Sequence, residues 1–198
     1  MKLGTFFSEL VSGLVLLAFG SFTVPWYLDW RRKPHLTIIN PETRNETFSL
    51  SRSTDGFWES TLHPSIKNHT KFTQREWYWH ILVPKELNQN VICLDRASTP
   101  QRNEVTVNGQ TWVHYFGNAS SNEVIFPHRS LRFNYMFKVK TSSKDKKEYK
   151  VHYYFDTEFG AWPPKARQIE SIATNSKRDQ STAFTEDYLA SFILRPDE

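Results

Sequence analysis

An uncharged segment near the N terminus restricts this chain more than any other feature. Residues 10–28 (LVSGLVLLAFGSFTVPWYL) contain no charged side chain, and Glu9 and Asp29 bound them. A helix of this length extends about 28 Å, close to the hydrocarbon thickness of a bilayer. The segment therefore predicts one transmembrane helix. A signal peptide cleaved near residues 18–20 (AFG) is the competing interpretation.

The residues that follow this segment are typical of a membrane boundary. Aromatic rings favour the interface, and a basic cluster fixes the orientation of the helix. The predicted interface residues are Trp26, Tyr27, Trp30, Arg31, Arg32 and Lys33. Because the three basic residues outweigh Lys2 and the amino terminus, we expect a single-pass cell-membrane protein with a cytoplasmic C-terminal domain.

Small residues give the predicted helix a possible packing face. Glu9, Gly13 and Gly20 fall on roughly one side of a helix. Glycine lets transmembrane helices approach closely, so this face can support homo-oligomers. The alternative is that glycine is simply frequent in such helices.

Residues 34–164 alternate apolar and polar side chains in short runs separated by turn residues, which is the pattern of β-strands. The predicted strands are His35–Asn40, Thr47–Arg52, Phe57–Leu62, Arg75–Val83, Val91–Leu94, Val105–Val107, Thr111–Phe116, Glu123–Phe126, Ser130–Lys140 and Glu148–Asp156. Asn108-Gly109 predicts a tight hairpin between two of them. We expect an all-β soluble domain, either an antiparallel β-sandwich of immunoglobulin-like architecture or a small barrel.

Residues 165–198 predict a polar linker followed by a short amphipathic helix over Ala183–Leu194. The apolar residues Phe184, Tyr188, Leu189, Phe192 and Ile193 have helical spacing, and Thr182 can cap the first turn. Such a helix either packs on its own domain or docks on a partner or a second copy of the chain.

The charge and the cysteine content exclude some functions. The first 33 residues hold four basic and two acidic residues, so they carry half of the chain's net charge of +4. The rest of the chain lacks the concentrated basic surface that duplex nucleic acid requires. The single cysteine, Cys93, allows no intrachain disulfide and favours a reducing compartment.

The sequence contains no recognisable catalytic or metal-binding motif. Cys93 has no partner at zinc-ligand spacing, and no nucleophile elbow or phosphate-binding glycine loop occurs. His80, His114 and His152 lie on predicted strands and can converge, but separate half-buried sites are more common for such residues. We therefore expect no metal, no cofactor and no enzymatic activity.

Two regions carry the candidate ligand contacts. Lysines are concentrated around one hairpin, where they can meet anionic headgroups, bind a phosphate-bearing ligand together with nearby arginines, or simply solubilise the tip. The segment 156–164 combines acidic and aromatic side chains at a strand exit, where binding loops are frequent. The candidate ligand-binding residues are Arg129, Arg132, Lys138, Lys150, Asp156, Glu158 and Trp162.

Three N-x-S/T sequons, at Asn45, Asn68 and Asn118, keep the opposite topology open, because an extracytoplasmic domain of a eukaryote would offer them for glycosylation. In that case the domain would face outward and recognise an external ligand.

The stretch from Trp30 to Leu36 (WRRKPHL) and the general layout resemble small bacterial proteins in which an N-terminal anchor and a basic stop lead into a cytosolic β domain. The layout favours a membrane-tethered binding or sensor module, non-enzymatic, with a lipid bilayer, a protein partner or homo-oligomer, and a small ligand as partners. By analogy with bacterial antiviral defence proteins, one variant is a ligand-responsive membrane effector. The alternatives are an accessory structural subunit of a membrane complex and an extracytoplasmic recognition domain.

Overall fold

The computed structural model describes residues 20–21, 23–25, 27–28, 31–93, 100–107, 110–119, 123–166 and 188–197. The chain divides into two compact units, Met1–Lys33 and Pro34–Glu198. The described residues of the first unit up to Arg32 are helical. The guanidinium of Arg31 lies over the ring of Tyr27, 5.2 Å from its centroid. Within the described residues, no helix has the length and apolar character needed to cross a membrane.

Most of the predicted membrane segment, including Glu9 and Gly13, lies outside the described residues, as do Trp26 and Trp30. Gly20 is helical and half-buried. A Cβ atom placed on it would have no described atom within 4 Å.

The second unit contains thirteen strands within its described residues. They are β1 (Leu36–Ile39), β2 (Thr47–Arg52), β3 (Trp58–Leu62), β4 (Ser65–Asn68), β5 (Trp77–Pro84), β6 (Leu87–Cys93), β7 (Gln101–Val107), β8 (Gln110–Asn118), β9 (Ser130–Arg132), β10 (Tyr135–Thr141), β11 (Tyr149–Thr157), β12 (Gly160–Trp162) and β13 (Ala190–Pro196).

These strands form two sheets. The smaller sheet has the order β1-β4-β9, and the larger has the order β6-β10-β3-β2-β13-β11-β5-β8-β7, with β12 added to β11. The described pairs are antiparallel except for β13 with β2. Val107 lies opposite Gln110, which leaves a two-residue connection where Asn-Gly predicts a hairpin. The prediction of an all-β domain is therefore confirmed.

The larger sheet curls until its distant strands pack face to face. On β5, Trp77, Trp79, Ile81 and Val83 alternate toward the interior and are buried. The ring of Trp79 lies 4.6 Å from that of Tyr135 on β10, although four strands separate β5 from β10 in the sheet. Burying aromatic rings on both walls supplies most of the core's apolar area.

The outer face of the central strands carries a second, smaller apolar cluster. Leu82 on β5 packs there with Trp112 on β8, Tyr154 on β11, and Ala161 and Ala166 after it. Apolar side chains on both faces of β5 therefore fit its position between β11 and β8.

The single strand expected over Ser130–Lys140 is wrong. The chain forms β9 in the smaller sheet and β10 in the larger one, and it crosses between them at residues 133–134. Phe133 is buried at the crossing, and its amide donates to the carbonyl oxygen of Pro64 at 3.0 Å. Continuous alternation cannot reveal a change of sheet. Of the strand expected over Glu123–Phe126, one bridge between Gln74 and Ile125 forms.

The helix expected over Ala183–Leu194 is wrong for residues 190–194, which begin β13; residues 183–187 lie outside the described residues. β13 is inserted between β11 and β2, and Phe192 and Leu194 are buried. The segment satisfies a period of two as well as a helical period. The segment forms a strand because it pairs with β11 on one side and β2 on the other. Without it, buried amides of β11 and β2 would lack hydrogen bonds.

Phe192 and Ile193 distinguish the strand from the helix. We expect Phe192→Ala to lower the free energy of unfolding by about 3–5 kcal/mol, because it empties a buried site. Ile193→Ala removes a half-buried side chain from the opposite face and should cost about 1–2 kcal/mol. Urea unfolding followed by circular dichroism measures both. Equal losses would contradict the strand, because a helix would bury the two residues together.

Candidate functional site

The register of the smaller sheet gives it one apolar and one polar face. Leu36, Ile38 and Ile66 point to the core and are fully buried. In an antiparallel pair, directly opposed residues share a face, and Ser65 lies opposite both Ile39 and Arg132. The polar face therefore carries Thr37, Ile39, Ser65, Lys67, Ser130 and Arg132.

A cleft of ≈ 340 Å³ opens on this polar face. It is lined by Ile39, Pro41, Arg44, Ser65, Lys67, His128 and Ser130, and we call it the basic cleft. Its lining residues carry a guanidinium, an ammonium, an imidazole and two hydroxyls. These groups are hydrogen-bond donors, and two of them are permanently charged at pH 7.

Two residues that line the basic cleft have an uncommon backbone conformation. Arg44 has φ of 58° and His128 has φ of 54°, and no other described non-glycine residue has positive φ. This conformation costs about 1–2 kcal/mol for a residue with a Cβ atom. The amide of Arg44 donates to the carbonyl oxygen of Asn40 at 2.8 Å, which holds the turn. Strain of this kind is concentrated at ligand-binding sites.

The cations of this face have no described counter-ion. Within the described residues, no carboxylate lies within ion-pairing distance of Arg44, Lys67 or Arg132. Glu42 belongs to the same turn as Pro41 but does not line the cleft.

The neighbouring His69 reports this positive charge. Its Nε2 lies 2.8 Å from the hydroxyl oxygen of Thr37. Burial lowers its pKa, and the charges of His35, Lys67 and His128 lower it further. Several basic groups therefore lie within electrostatic range of one another.

The structure divides the basic residues that the sequence singles out. Arg132 lies on the polar face of the smaller sheet, and Arg129 is exposed just before β9. Lys138 is on β10 and Lys150 is on β11, both exposed, and three strands separate β10 from β11. Neither arginine lines the basic cleft, although Arg132 shares the polar face and Arg129 adjoins two lining residues in the sequence. The two lysines lie on the larger sheet.

The lysine-rich hairpin expected from the sequence is wrong, because β10 pairs with β3 and β6, whereas β11 pairs with β5, β12 and β13. Several lysines near the connection between β10 and β11 have partners. Lys140 pairs with Asp55, and Lys147 lies 2.9 Å from a carboxylate oxygen of Glu86. The ammonium of Lys144 lies 5.3 Å from the ring centroid of Phe57. These contacts distribute the charge of the connection among local partners instead of directing it toward one site.

The segment 156–164 forms a hairpin arm. Asp156 is half-buried opposite Ala161, and Glu158 is exposed in the turn between β11 and β12. Trp162 lies opposite Phe155 and shares its face of the hairpin. Asp156, the next residue after Phe155, projects from the other face. The ring of Trp162 packs 4.0 Å from that of His35. The acidic and aromatic residues of this segment therefore do not converge.

His80 and His114 converge on the outer face of the larger sheet. Nδ1 of His80 and Nε2 of His114 are 3.1 Å apart, and the ring of Tyr154 stacks 4.0 Å from that of His80. Burial lowers the pKa of His80 to about 3, helped by the charge of His114, and burial lowers the pKa of His114 to about 4. At pH 7 both rings are neutral, so one donates the shared hydrogen bond and the other accepts it.

His152 takes a different place from that pair. Its ring packs 4.9 Å from that of Trp112, edge to face. Among the residues that the structure describes, no group of three His, Cys, Asp or Glu side chains has the arrangement of a metal site.

The three sequons differ in accessibility. Asn68 is fully buried, and its Nδ2 donates to the carbonyl oxygens of Phe72 and Ile125 at 2.7 and 3.2 Å. Its Oδ1 accepts from the amide of Thr70 at 2.9 Å. A glycan cannot occupy this side chain in the folded domain, whereas Asn45 and Asn118 are exposed.

No protein family and no curated protein matches the sequence. Among solved structures, the CooA pilin subunit from enterotoxigenic Escherichia coli is similar over 82% of this chain and 96% of that chain. The sequence identity is 6% and the TM-score is 0.25. Such a weak likeness supports no statement about this chain.

The buried histidine pair predicts an acid-sensitive fold. Both pKa values lie below the ordinary 6.5, so protonation favours the unfolded state. The stabilisation is complete above pH 6.5 and is lost as the pH falls toward 4. The loss is at most about 1.4 kcal/mol per pH unit for each histidine. Chemical unfolding between pH 7 and pH 4 measures this loss. The free energy of unfolding should fall less with decreasing pH in His80→Phe/His114→Phe than in the unaltered protein.

The exposed Phe126, which carries no ionisable group, provides the control for this measurement. Phe126→Leu should keep the pH dependence of the unaltered protein. An unchanged pH dependence in the double histidine variant would contradict the assignment of the buried pair as the acid-sensitive element.

Proposed function

We propose that this chain is a non-enzymatic, membrane-tethered binding module whose β domain takes an anionic ligand in the basic cleft. The observation that carries the proposal is the convergence of Arg44, Lys67 and His128 on one cleft without a described carboxylate partner. Cations held together in this way repel one another, and a bound anion removes that repulsion.

The chemistry of the cleft favours binding over catalysis. Among its described lining residues there is no carboxylate and no thiol, and His128 is the single imidazole. A general acid–base mechanism usually needs a second, oriented group beside the histidine. The His80–His114 pair is buried on another sheet and forms its own hydrogen bond.

The membrane tether is the part of the proposal that rests on the sequence. Residues 10–28 are uncharged, and only Pro34 and His35 separate Lys33 from β1. In the effector variant, ligand binding changes the association of the helices through the face of Glu9, Gly13 and Gly20.

Membrane topology tests the tether. We expect a reporter fused after Glu198, active on only one side of the membrane, to give a cytoplasmic signal, because the basic flank at residues 31–33 follows the positive-inside rule. An extracytoplasmic signal would favour the outward-facing recognition domain, with Asn45 and Asn118 as its glycan acceptors.

Charge reversal tests the cleft. Arg44→Glu/Lys67→Glu should weaken binding by a factor of at least about ten, since each charged hydrogen bond contributes about 1.5–3 kcal/mol. Isothermal titration of the full chain in detergent with inorganic phosphate, sulfate and citrate measures this loss.

The matched control is Lys138→Glu/Lys150→Glu, which makes the same change in net charge on the larger sheet. Its affinity for each anion should equal that of the unaltered chain. An equal loss in both double variants would reduce the effect to general electrostatic attraction and contradict a specific site.

A further inference from the structure

We propose that the basic cleft binds a phosphate monoester, a choice of ligand class that rests on the proposed function. The shared chemistry is a terminal phosphate group, carried either by a soluble molecule or by a lipid headgroup. The directions of the donors favour it over a carboxylate, and the charge favours it over a carboxylate or a sulfonate. The size of the cleft leaves room for the organic part of the ester.

The donors come from separate parts of the β domain. Arg44 follows the turn after β1, Lys67 is on β4, His128 precedes β9, and Ser130 begins β9. Ser65 adds a hydroxyl beside Lys67 on the same face and is 5% exposed. A tetrahedral phosphate offers three terminal oxygens in different directions, whereas one planar guanidinium already satisfies both oxygens of a carboxylate.

The charge of the face matches a dianion. A phosphate monoester carries about −1.5 to −2 charges at pH 7, since its second pKa is about 6. Arg44 and Lys67 supply two fixed positive charges in the cleft. Arg132 lies on the same face of the smaller sheet as Ser65, directly across from it on β9. A monoanionic sulfonate or carboxylate would leave part of this positive charge uncompensated.

The cleft is also larger than a phosphate group needs. Its volume of ≈ 340 Å³ lies at the small end of the range for organic ligands, which begins at about 300 Å³. Ile39 and Pro41 provide an apolar wall beside the donors. We therefore assign the wall to the organic part of the ester and the basic side to its phosphate.

The two strained residues fit this assignment. Arg44 and His128 have left-handed backbone conformations, and both line the cleft although they are distant in the sequence. Holding their donors in place before the ligand arrives reduces the ordering that binding requires. Both residues lie in connections outside the strands, Arg44 between β1 and β2 and His128 just before β9.

The test compares three ligands with the same aromatic ring. The full chain is placed in nanodiscs of phosphatidylcholine and titrated at pH 7 with phenyl phosphate, benzenesulfonate and benzoate. We expect phenyl phosphate to bind at least about ten times more tightly than the other two. Arg44→Lys keeps the charge but loses the guanidinium fork and should weaken phenyl phosphate binding several-fold. Lys138→Arg is the control and should leave it unchanged.

A second arm distinguishes a soluble ester from a lipid headgroup. Nanodiscs that contain phosphatidic acid present a membrane-bound phosphate monoester. If the headgroup is the ligand, it should weaken phenyl phosphate binding more than phosphatidylglycerol, a phosphodiester used to give nanodiscs of the same surface charge, does. Unchanged affinity in these nanodiscs assigns the cleft to a soluble ester. Either result supports the phosphate class.

Two negative outcomes separate this inference from the function on which it rests. If all three ligands bind equally and Arg44→Glu/Lys67→Glu removes that binding, the anion site stands and the phosphate assignment fails. If none of the three ligands binds in phosphatidylcholine nanodiscs, the anion-binding function fails together with the phosphate assignment.

Discussion

The burial of Trp79 is the interaction on which the β domain depends. Its fully buried indole on β5 packs against Phe133 and Tyr135, whose ring centroids lie 5.1 and 4.6 Å away. A Cβ atom on Gly117 would lie 3.1 Å from the same indole, so glycine is what leaves room for it. Because β5 and β10 are distant in the sheet, this packing closes the curl. Phe133 also marks where the chain leaves the smaller sheet, so the same contact positions β9.

A few buried hydrogen bonds connect the smaller sheet, which carries the basic cleft, to this core. The hydroxyl of Tyr153 accepts a hydrogen bond from the amide of Ile38 at 3.2 Å, which attaches β1 to β11. Burial raises the pKa of Tyr153, so the hydroxyl stays protonated at any physiological pH. Asn68 ties the end of β4 to Phe72 and Ile125. Because these hydrogen bonds fix the apolar face of the smaller sheet, its polar face is held in a single arrangement.

Sequence patterns predict the parts of this fold that depend on local alternation. β2 has the expected bounds, Thr47–Arg52, and β11 departs from its expected bounds by one residue at each end. β4 was missed because its four residues (SIKN) are mostly polar and are buried by their neighbours. β13 was missed because its apolar spacing fits a helix and a strand equally. Both segments become strands because they pair with strands distant in the sequence, and the local sequence pattern does not indicate that pairing.

The site follows the same logic. Arg132 was singled out from the sequence, but Arg44, Lys67 and His128 come from three distant segments with no local concentration of charge. The density of lysine between residues 138 and 150 indicated a different site, and two of those lysines, Lys140 and Lys147, pair with acids. The cleft instead collects cations that lack a described partner, in a backbone held under strain. Both features raise the free energy of the empty domain. In the function we propose, an anion that relieves the repulsion would bind and stabilise the fold through the same interaction.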